Sequence, residues 1–232
     1  RSPHHTVSYA GLIGGGTVPR PGEVSLAHNG ILFLDELPEF SRTVLEVLRQ
    51  PLEDRKVTIS RAHSTFTFPT SFMCICAMNP CPCGYLGHPD KPCTDGQLQI
   101  NRYRNKISGP LWDRIDMHID VGALRYADIM SAESGEPSSV VKERVKGARA
   151  RQRNRFGSHK TNAQISSREL KEFVPLGADC QDLLRTAIDV MGLSARACDR
   201  MKRVALTIAD LEGSDCVERH HLMEAINFRK FD

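Results

Sequence analysis

The chain has 232 residues, which is enough for one large or two small domains with apolar cores. Its net charge of +3 is too small to indicate a nucleic-acid partner by itself, although it is compatible with a local basic face. No run approaches the roughly 18 apolar residues of a membrane span, and no export signal accompanies the eight cysteines. We therefore expect a cytoplasmic protein without a membrane partner, whose cysteines are reduced or bind metal.

The first thirty residues are rich in glycine and proline. The sequence opens at Arg1, without an initiator methionine and inside a Pro/His-rich segment, so we expect a fragment. Residues 7–30 predict turns around short strands. The three glycines at 14–16 are not a phosphate-binding loop, because such a loop needs a Gly-Lys-Ser/Thr sequence and none occurs in the chain.

A short apolar run followed by two carboxylates comes next. Gly30 precedes the four apolar residues 31–34, and Asp35 and Glu36 follow them. This pattern fits a central parallel strand that is covered on both faces and carries its working residues at its C-terminal end. It predicts a Walker B strand, in which Asp35 holds Mg²⁺ and Glu36 polarises the water that attacks the γ-phosphate of ATP. The alternative is a buried strand with a solvated acidic turn.

The middle of the chain predicts a helix, a hairpin and a second buried strand. Ser41 is a candidate N-cap, residues 56–60 and 65–68 alternate like hairpin strands, and residues 72–78 form an apolar run that ends at Asn79. In a nucleotide-binding sheet, Asn79 would be the sensor 1 residue, whose amide orients the attacking water. Asn79-Pro80 is also a common turn at the end of a strand.

The remaining residues predict one more strand and then helices only. Residues 117–121 resemble a third, shorter strand, and no strand signal follows Ala127. Helical patterns occur near 139–156, 166–173, 179–191, 194–211 and 217–228. In the fourth of these, apolar residues recur every three or four positions from Leu193 to Leu211, which predicts a core-facing stripe.

Two arginines have positions that suit nucleotide chemistry. Arg114 lies just before the third predicted strand, where a ring ATPase presents an arginine finger to its neighbour's nucleotide. The alternative for it is a surface pair with Asp113. Arg196, at the start of the fourth helix, suits a sensor 2 arginine that contacts phosphate, or else a solvated residue in the first turn.

Together these segments resemble the magnesium chelatase-like AAA+ family, and within it the branch of bacterial competence proteins. The resemblance covers essentially the whole chain. The matching segments are residues 4–6, 14–16, 21–28, 30–40, 51–53, 79–84, 102–104, 107–111 and 113–118.

The resemblance implies an α/β AAA+ core in residues 1–126, with a parallel sheet, helices and two hairpin insertions, followed by an all-α lid in residues 127–232. It implies ATP and Mg²⁺ as cofactors, a homo-oligomeric, hexameric ring, and a motor that remodels DNA by branch migration during natural transformation. The insertions would be residues 7–28 and 56–68. The tip of the second, including Arg61 and His63, would face DNA, unless these are ordinary turn residues.

The chain departs from the family's pattern in two places. The Walker A loop normally precedes the segment that opens at Arg1, so we expect this chain alone to bind triphosphate poorly and to be inactive. Cys81, Cys83 and Cys93 resemble part of a four-cysteine cluster that would suit zinc, with Asp95 or His88 as a fourth ligand. The alternative is a metal-free loop stiffened by proline and glycine.

Two further features leave alternatives open. Residues 142–155 carry seven basic residues and one acid, so this helix could contact DNA phosphates, another subunit or solvent. The same fold would also suit the motor subunit of a metal chelatase, or a non-enzymatic module for DNA binding or ring assembly. The sequence Asn-Pro-Cys-Pro-Cys-Gly at 79–84 favours the DNA motor over the chelatase.

Overall fold

The computed structural model describes residues 1–61, 64–123, 130 and 135–229. The chain divides into two compact units, Arg1–Arg114 and Ile115–Asp232. The first is a mixed α/β unit and the second is helical, which confirms the predicted fold class. The predicted domain boundary at residue 126 lies further along the chain than this division and stays a prediction.

The first unit contains six strands and six helices among its described residues. In chain order they are α1 Tyr9–Ile13, β1 Gly14–Gly15, β2 Arg20–Pro21, α2 Glu23–Leu26, β3 Ile31–Leu34, α3 Arg42–Val47, α4 Arg49–Asp54, β4 Lys56–Arg61, β5 Ser64–Pro69, β6 Met73–Cys76, α5 Gln97–Arg104 and α6 Gly109–Trp112. A short 3-10 helix, Leu37–Glu39, follows β3. The strands form three pairs: β1 with β2 and β4 with β5 are antiparallel, and β3 with β6 is parallel.

The parallel pair is the centre of the first unit. Its register runs from Ile31 opposite Met73 to Leu34 opposite Cys76, so both strands end at the same edge. Two backbone hydrogen bonds extend the pairing beyond the strands: Ala77 N–H donates to the Leu34 carbonyl, and Leu37 N–H donates to the Ala77 carbonyl. The chain segments that leave β3 and β6 therefore lie side by side.

Only one face of this parallel pair is covered. Leu32 and Leu34 are fully buried in the core of the unit. Three apolar side chains of the same two strands are exposed instead: Ile31 by 49%, Met73 by 62% and Ile75 by 41%. The expectation of a strand covered on both faces is therefore wrong for the described residues, because their packing partners lie against a single face.

Both predicted hairpins are present. The long hairpin pairs β4 with β5 from Lys56 opposite Pro69 to Arg61 opposite Ser64. The short hairpin depends on glycine, because Gly14 has φ 107° and a Cβ there would lie 2.3 Å from the Arg20 carbonyl oxygen. A side chain at this position would therefore strain the backbone and separate the two short strands.

The second unit consists of five helices in its described part, and all five were predicted. They are α7 Ser138–Phe156, α8 Ser167–Phe173, α9 Ala178–Met191, α10 Ala195–Glu212 and α11 Arg219–Asn227. The hydroxyl of Ser194 accepts from the Ala197 N–H and caps α10. Ala197 and Met201 are buried as the stripe predicts, whereas Leu211 is 43% exposed, so the stripe ends before the last turn.

A buried charged cluster joins the helices of the second unit. The side chain of Asp210 is fully buried and accepts from both terminal nitrogens of Arg155, at 2.9 and 2.5 Å, and from the Asn162 amide at 2.7 Å. Arg151 lies 3.8 Å from the same carboxylate and also pairs with the exposed Asp215. Two arginines of the basic run in α7 thus have structural partners.

The third predicted strand is wrong. Residues 117–121 are all described, and the structure assigns no strand to them. Met117, Ile119 and Val121 alternate as a strand would require, but they are 46%, 68% and 83% exposed. The His118 N–H donates to the Phe228 carbonyl at 2.7 Å, but Phe228 ends a helix, and alternation makes a strand only where another strand and a core lie alongside.

None of the helices that the structure describes combines the length and apolarity needed to cross a bilayer.

Candidate nucleotide site and cysteine cluster

The two predicted Walker B acids lie at the carboxyl edge of the parallel pair. Asp35 and Glu36 follow β3 directly and both are exposed. Asp35 Oδ1 accepts from the Glu36 N–H at 2.9 Å, and Glu36 Oε2 lies 3.2 Å from Nδ1 of His5. The acids therefore present oxygens to solvent at the place where parallel sheets bind ligands.

Glu36 has a strained backbone. Its φ and ψ of 51° and 47° are left-handed, a conformation that costs a residue with a Cβ about 1 kcal/mol or more. The backbone hydrogen bonds on either side hold it there, since Leu37 N–H donates to Ala77 and Glu39 N–H donates to the Glu36 carbonyl at 2.7 Å. Among the described residues, Asn29 and Arg55 have a similar positive φ, but only Glu36 of these three directly follows the acid at the end of β3.

Asn79 leaves the neighbouring strand at the same edge. It lies three residues beyond the end of β6 and is exposed. Its backbone makes a hydrogen bond with the side chain of Tyr103 on α5. The structure thus brings Asp35, Glu36 and Asn79 to one edge, and carboxylate and amide oxygens are ligands that suit Mg²⁺ and water.

Tyr103 is a part of this edge to which sequence reasoning assigned no role. Burial raises the pKa of its hydroxyl, and the negative charges of Glu39 and Glu36 act in the same direction, while the bond with the Asn79 backbone opposes them. Tyr103 therefore stays protonated near neutral pH. The only sequence signal was its place in the segment 102–104, which matched the family pattern without an assigned function.

Arg114 is held inside its own unit. Its Nε donates to the Arg49 carbonyl at 3.1 Å, its Nη1 donates to the Pro110 carbonyl at 2.6 Å, and Glu53 lies 3.2 Å away. The side chain is only 11% exposed. This conformation ties α4 to α6, and it differs from the surface pair with Asp113 that was the alternative to an arginine finger.

The other predicted basic site residues lie away from the two acids in the chain. Arg196 is exposed in the first turn of α10 and belongs to the second unit, whereas the two acids belong to the first. Arg61 is the last residue of β4 and pairs with Ser64 of β5. His63 lies outside the described residues.

Three of the predicted metal ligands do come together. The sulfur atoms of Cys81, Cys83 and Cys93 form a nearly equilateral triangle with sides of 3.4, 3.5 and 3.6 Å. Asp95 joins them, so that all four possible ligand atoms lie within 4.8 Å of one another. Of the two predicted fourth ligands, the structure thus selects Asp95, because Asp95 lies within this cluster and His88 does not. The Nδ1 of His88 accepts instead from the N–H groups of Asp90 and Lys91.

A second group of possible ligands, in the helical unit, is better explained by hydrogen bonding. Glu212 bonds to Nε2 of both His220 and His221, and Nδ1 of His221 accepts from the Glu218 N–H at 2.9 Å. Because Nδ1 of His221 is an acceptor, Nε2 carries the hydrogen and offers no lone pair to a metal. This group therefore caps α11, and sequence reasoning missed it because it joins two helices.

The comparisons with known proteins agree with this architecture. A parallel pair with two acids at its carboxyl edge, two hairpin insertions and a following helical unit are the features of an AAA+ core with a helical lid. The family model for magnesium chelatase, subunit ChlI, matches residues 1–129, and the model for the C-terminal part of the same subunit matches residues 135–229. The chain belongs to this magnesium chelatase family.

Among curated relatives, the chain is 44% identical to the uncharacterized protein YifB of Salmonella typhimurium over its whole length, and 45% identical to competence protein ComM of Haemophilus influenzae over 99% of it. It is 41% identical to the uncharacterized protein Rv2897c of Mycobacterium tuberculosis, also over 99% of the chain. These alignments cover 45%, 44% and 46% of the relatives, so the chain spans less than half of their length.

Proposed function

We propose that this chain works as part of a cytoplasmic AAA+ motor that couples ATP hydrolysis to the remodelling of DNA. The observation that carries the proposal is the meeting of Asp35, Glu36 and Asn79 at the carboxyl edge of the parallel pair. The similarity to a competence protein favours branch migration during natural transformation as the setting.

Each residue at the edge has a proposed task. Bound Mg²⁺-ATP supplies the phosphoryl group that is transferred to water. Asp35 would provide an oxygen ligand for the metal, Glu36 would accept a proton from the attacking water, and Asn79 would orient that water. Tyr103 positions the Asn79 backbone through their hydrogen bond.

In this proposal the phosphate-binding part of the site would come from outside these 232 residues, which contain no Gly-Lys-Ser/Thr sequence. Backbone amides and a lysine are what hold the β- and γ-phosphates in such proteins. We therefore expect the chain alone to bind ATP poorly and to be inactive.

A ring of subunits, hexameric in this proposal, would complete the site. Arg114 would act on the nucleotide of the neighbouring subunit, and Arg196 would contact phosphate from the lid. For Arg114 this requires a conformational change, since its guanidinium now binds Glu53 and two backbone carbonyls. Arg61 and His63, in the long hairpin, would contact DNA.

A second candidate is the motor subunit of a metal chelatase, which the description of the matching family favours. Such a motor would respond to partner subunits and a porphyrin instead of DNA. A third, non-enzymatic candidate is a module for DNA binding or ring assembly, which the absence of a phosphate loop from the chain would suit.

The decisive experiment measures ATP hydrolysis by the whole protein that contains this chain, with Mg²⁺, in the presence and absence of branched DNA. DNA-stimulated turnover is expected, and Arg61→Ala with His63→Ala should reduce the stimulation while leaving basal turnover intact. Turnover that ignores DNA but responds to a porphyrin and chelatase partner subunits would establish the second candidate. No turnover under any condition, together with DNA binding or ring assembly by the same protein, would favour the third.

A further inference from the structure

We propose that Cys81, Cys83, Cys93 and Asp95 form a structural site for one Zn²⁺ ion, which closes the loop between β6 and α5. The proposal does not depend on nucleotide hydrolysis, because it concerns ligands and a readout that are separate from Asp35 and Glu36.

The sulfur geometry fits a tetrahedral ion. With zinc–sulfur bonds of about 2.3 Å, two sulfurs of a tetrahedral site lie about 3.8 Å apart. The three sulfur–sulfur distances here, 3.4 to 3.6 Å, are close to this value and nearly equal. They are far longer than the roughly 2.05 Å of a disulfide, and three thiols cannot all be paired by disulfides among themselves.

Asp95 completes the set. Its Oδ2 lies 3.9 Å from the sulfur of Cys93, near the roughly 3.6 Å that two ligands with zinc–sulfur and zinc–oxygen bonds of normal length would show. The Cys83 N–H donates to the same oxygen at 2.7 Å and so fixes the carboxylate beside the sulfurs.

The ligand chemistry selects the ion. Thiolate sulfur is a soft ligand, which Mg²⁺ and Ca²⁺ do not prefer, whereas Zn²⁺ commonly takes three sulfurs and one further ligand. Cys81 is buried, but Cys83, Cys93 and Asp95 are partly exposed, so an ion has a path into the site.

The loop that carries the ligands contains turns but no regular secondary structure. No helix or strand lies between Cys76 and Gln97, all of whose residues are described. Cys81 follows Asn79 by two residues, and Asp95 lies two residues before α5, so a bound ion would join the two ends of the loop. Arg104 of α5 donates to the Pro80 carbonyl at 3.2 Å beside this junction. The ion thus fixes the segment that follows Asn79 and limits the freedom of the loop.

Cys74 and Cys76 supply an internal control. Their sulfurs are 3.7 Å apart, a separation like that of the cluster, but the strand β6 places no third thiol beside them. Their mutual hydrogen bond and burial raise the pKa of Cys74, which keeps this thiol protonated. A variant in this pair removes a cysteine from the same region without removing a ligand.

The test measures zinc by mass spectrometry in the whole purified protein, together with the absorption spectrum after replacement by Co²⁺. The protein and its Cys76→Ser variant should each hold one zinc per chain at this site and show the visible bands of tetrahedral, thiolate-bound cobalt. Cys83→Ser should lose both. Asp95→Asn should weaken zinc binding by at least about tenfold, and Asp95→Cys should strengthen it.

Several results would overturn the proposal. The protein could lack both zinc and the cobalt bands, or Cys83→Ser could keep as much zinc as the unchanged protein. Unchanged affinity in Asp95→Asn would remove Asp95 from the site. The Asp95→Cys variant guards against a trivial loss through misfolding, because it predicts a gain in affinity, and a failure to gain also counts against the site.

Discussion

Two acidic positions in this molecule have opposite environments. Asp210 is fully buried in the helical unit, where Arg155 and Asn162 satisfy its carboxylate. Glu36, at the edge of the parallel pair, is exposed and sits on a strained backbone. A buried acid that has all its partners serves the fold, whereas an exposed acid held in an unfavourable conformation at a strand end is available to a ligand. Stability and activity should therefore separate cleanly between the two positions.

Replacement of Glu36 should have the largest effect, and on activity alone. In the whole protein, we expect Glu36→Gln to bind ATP normally and to hydrolyse it about 10²–10⁴-fold more slowly, because the amide cannot accept a proton. The free energy of unfolding should change by no more than about 0.5 kcal/mol, since the side chain of Glu36 is exposed.

The matched control for Glu36 is Glu39→Gln. Glu39 is a nearby exposed acid that pairs with Lys106 at 3.4 Å, and its loss should leave turnover nearly unchanged. Steady-state hydrolysis and nucleotide-binding assays on both variants show whether the loss of turnover is specific to Glu36. Near-normal turnover in Glu36→Gln would remove it from the catalytic role.

Replacement of Asp210 should have the opposite result. Asp210→Ala leaves Arg155 without its buried partner, and we expect a loss of about 3–5 kcal/mol in the free energy of unfolding. Asp215→Ala is the control, because Asp215 also pairs with Arg151 but its side chain is 98% exposed, and its loss should cost less than about 1 kcal/mol. Denaturant unfolding of both variants makes the measurement; equal effects would contradict the contrast.

Arg114 sharpens the comparison because it could belong to either class. Removal of its partly buried contacts in Arg114→Ala should cost about 1–3 kcal/mol. If it also acts on a neighbour's nucleotide, Arg114→Ala should abolish hydrolysis in the ring, whereas Glu53→Gln should lower stability alone. Mixing Arg114→Ala with Glu36→Gln subunits should then restore some turnover. No rescue at any mixing ratio, or equal loss of activity in Glu53→Gln, would make Arg114 purely structural.

The smallest predicted effect concerns pH. The hydrogen bond from Lys160, followed by those from Ser166, lowers the pKa of Glu169 to about 2. A depressed carboxyl pKa stabilises the fold above the unfolded-state value of about 4.3, and this contribution is lost as the pH falls from there towards 2. The melting temperature should therefore fall less steeply over this range in Glu169→Gln than in the unchanged protein. Parallel curves for the two would refute the prediction.

Local patterns predicted most of the fold. Apolar periodicity located β3, β6 and the five helices of the second unit, because side-chain spacing follows directly from strand and helix geometry. The same reasoning failed at residues 117–121, where alternation is present without a neighbouring strand. The sequence analysis also predicted that both faces of β3 are packed. An apolar run does not specify how many faces of a strand are packed.

The candidate sites were predictable in composition but not in contacts. Asp35, Glu36 and Asn79 follow two apolar runs, and the parallel pairing of those runs brings them to one edge. The left-handed backbone of Glu36 and the bond between Asn79 and Tyr103 depend on long-range packing, so no local signal announced them. Spacing likewise left two candidates for the fourth ligand of the cysteine cluster, and only the folded loop selected Asp95.

The uncovered face of the parallel pair bears on how self-assembly must be measured. When the chain is purified by itself, it exposes an apolar surface that favours self-association, formed by Ile31, Met73 and Ile75. Oligomers seen in gel filtration of the isolated 232 residues would then report this surface instead of a ring contact. A Met73→Lys substitution should dissociate oligomers that form through this surface. An assembly that persists in this variant must form through a different contact.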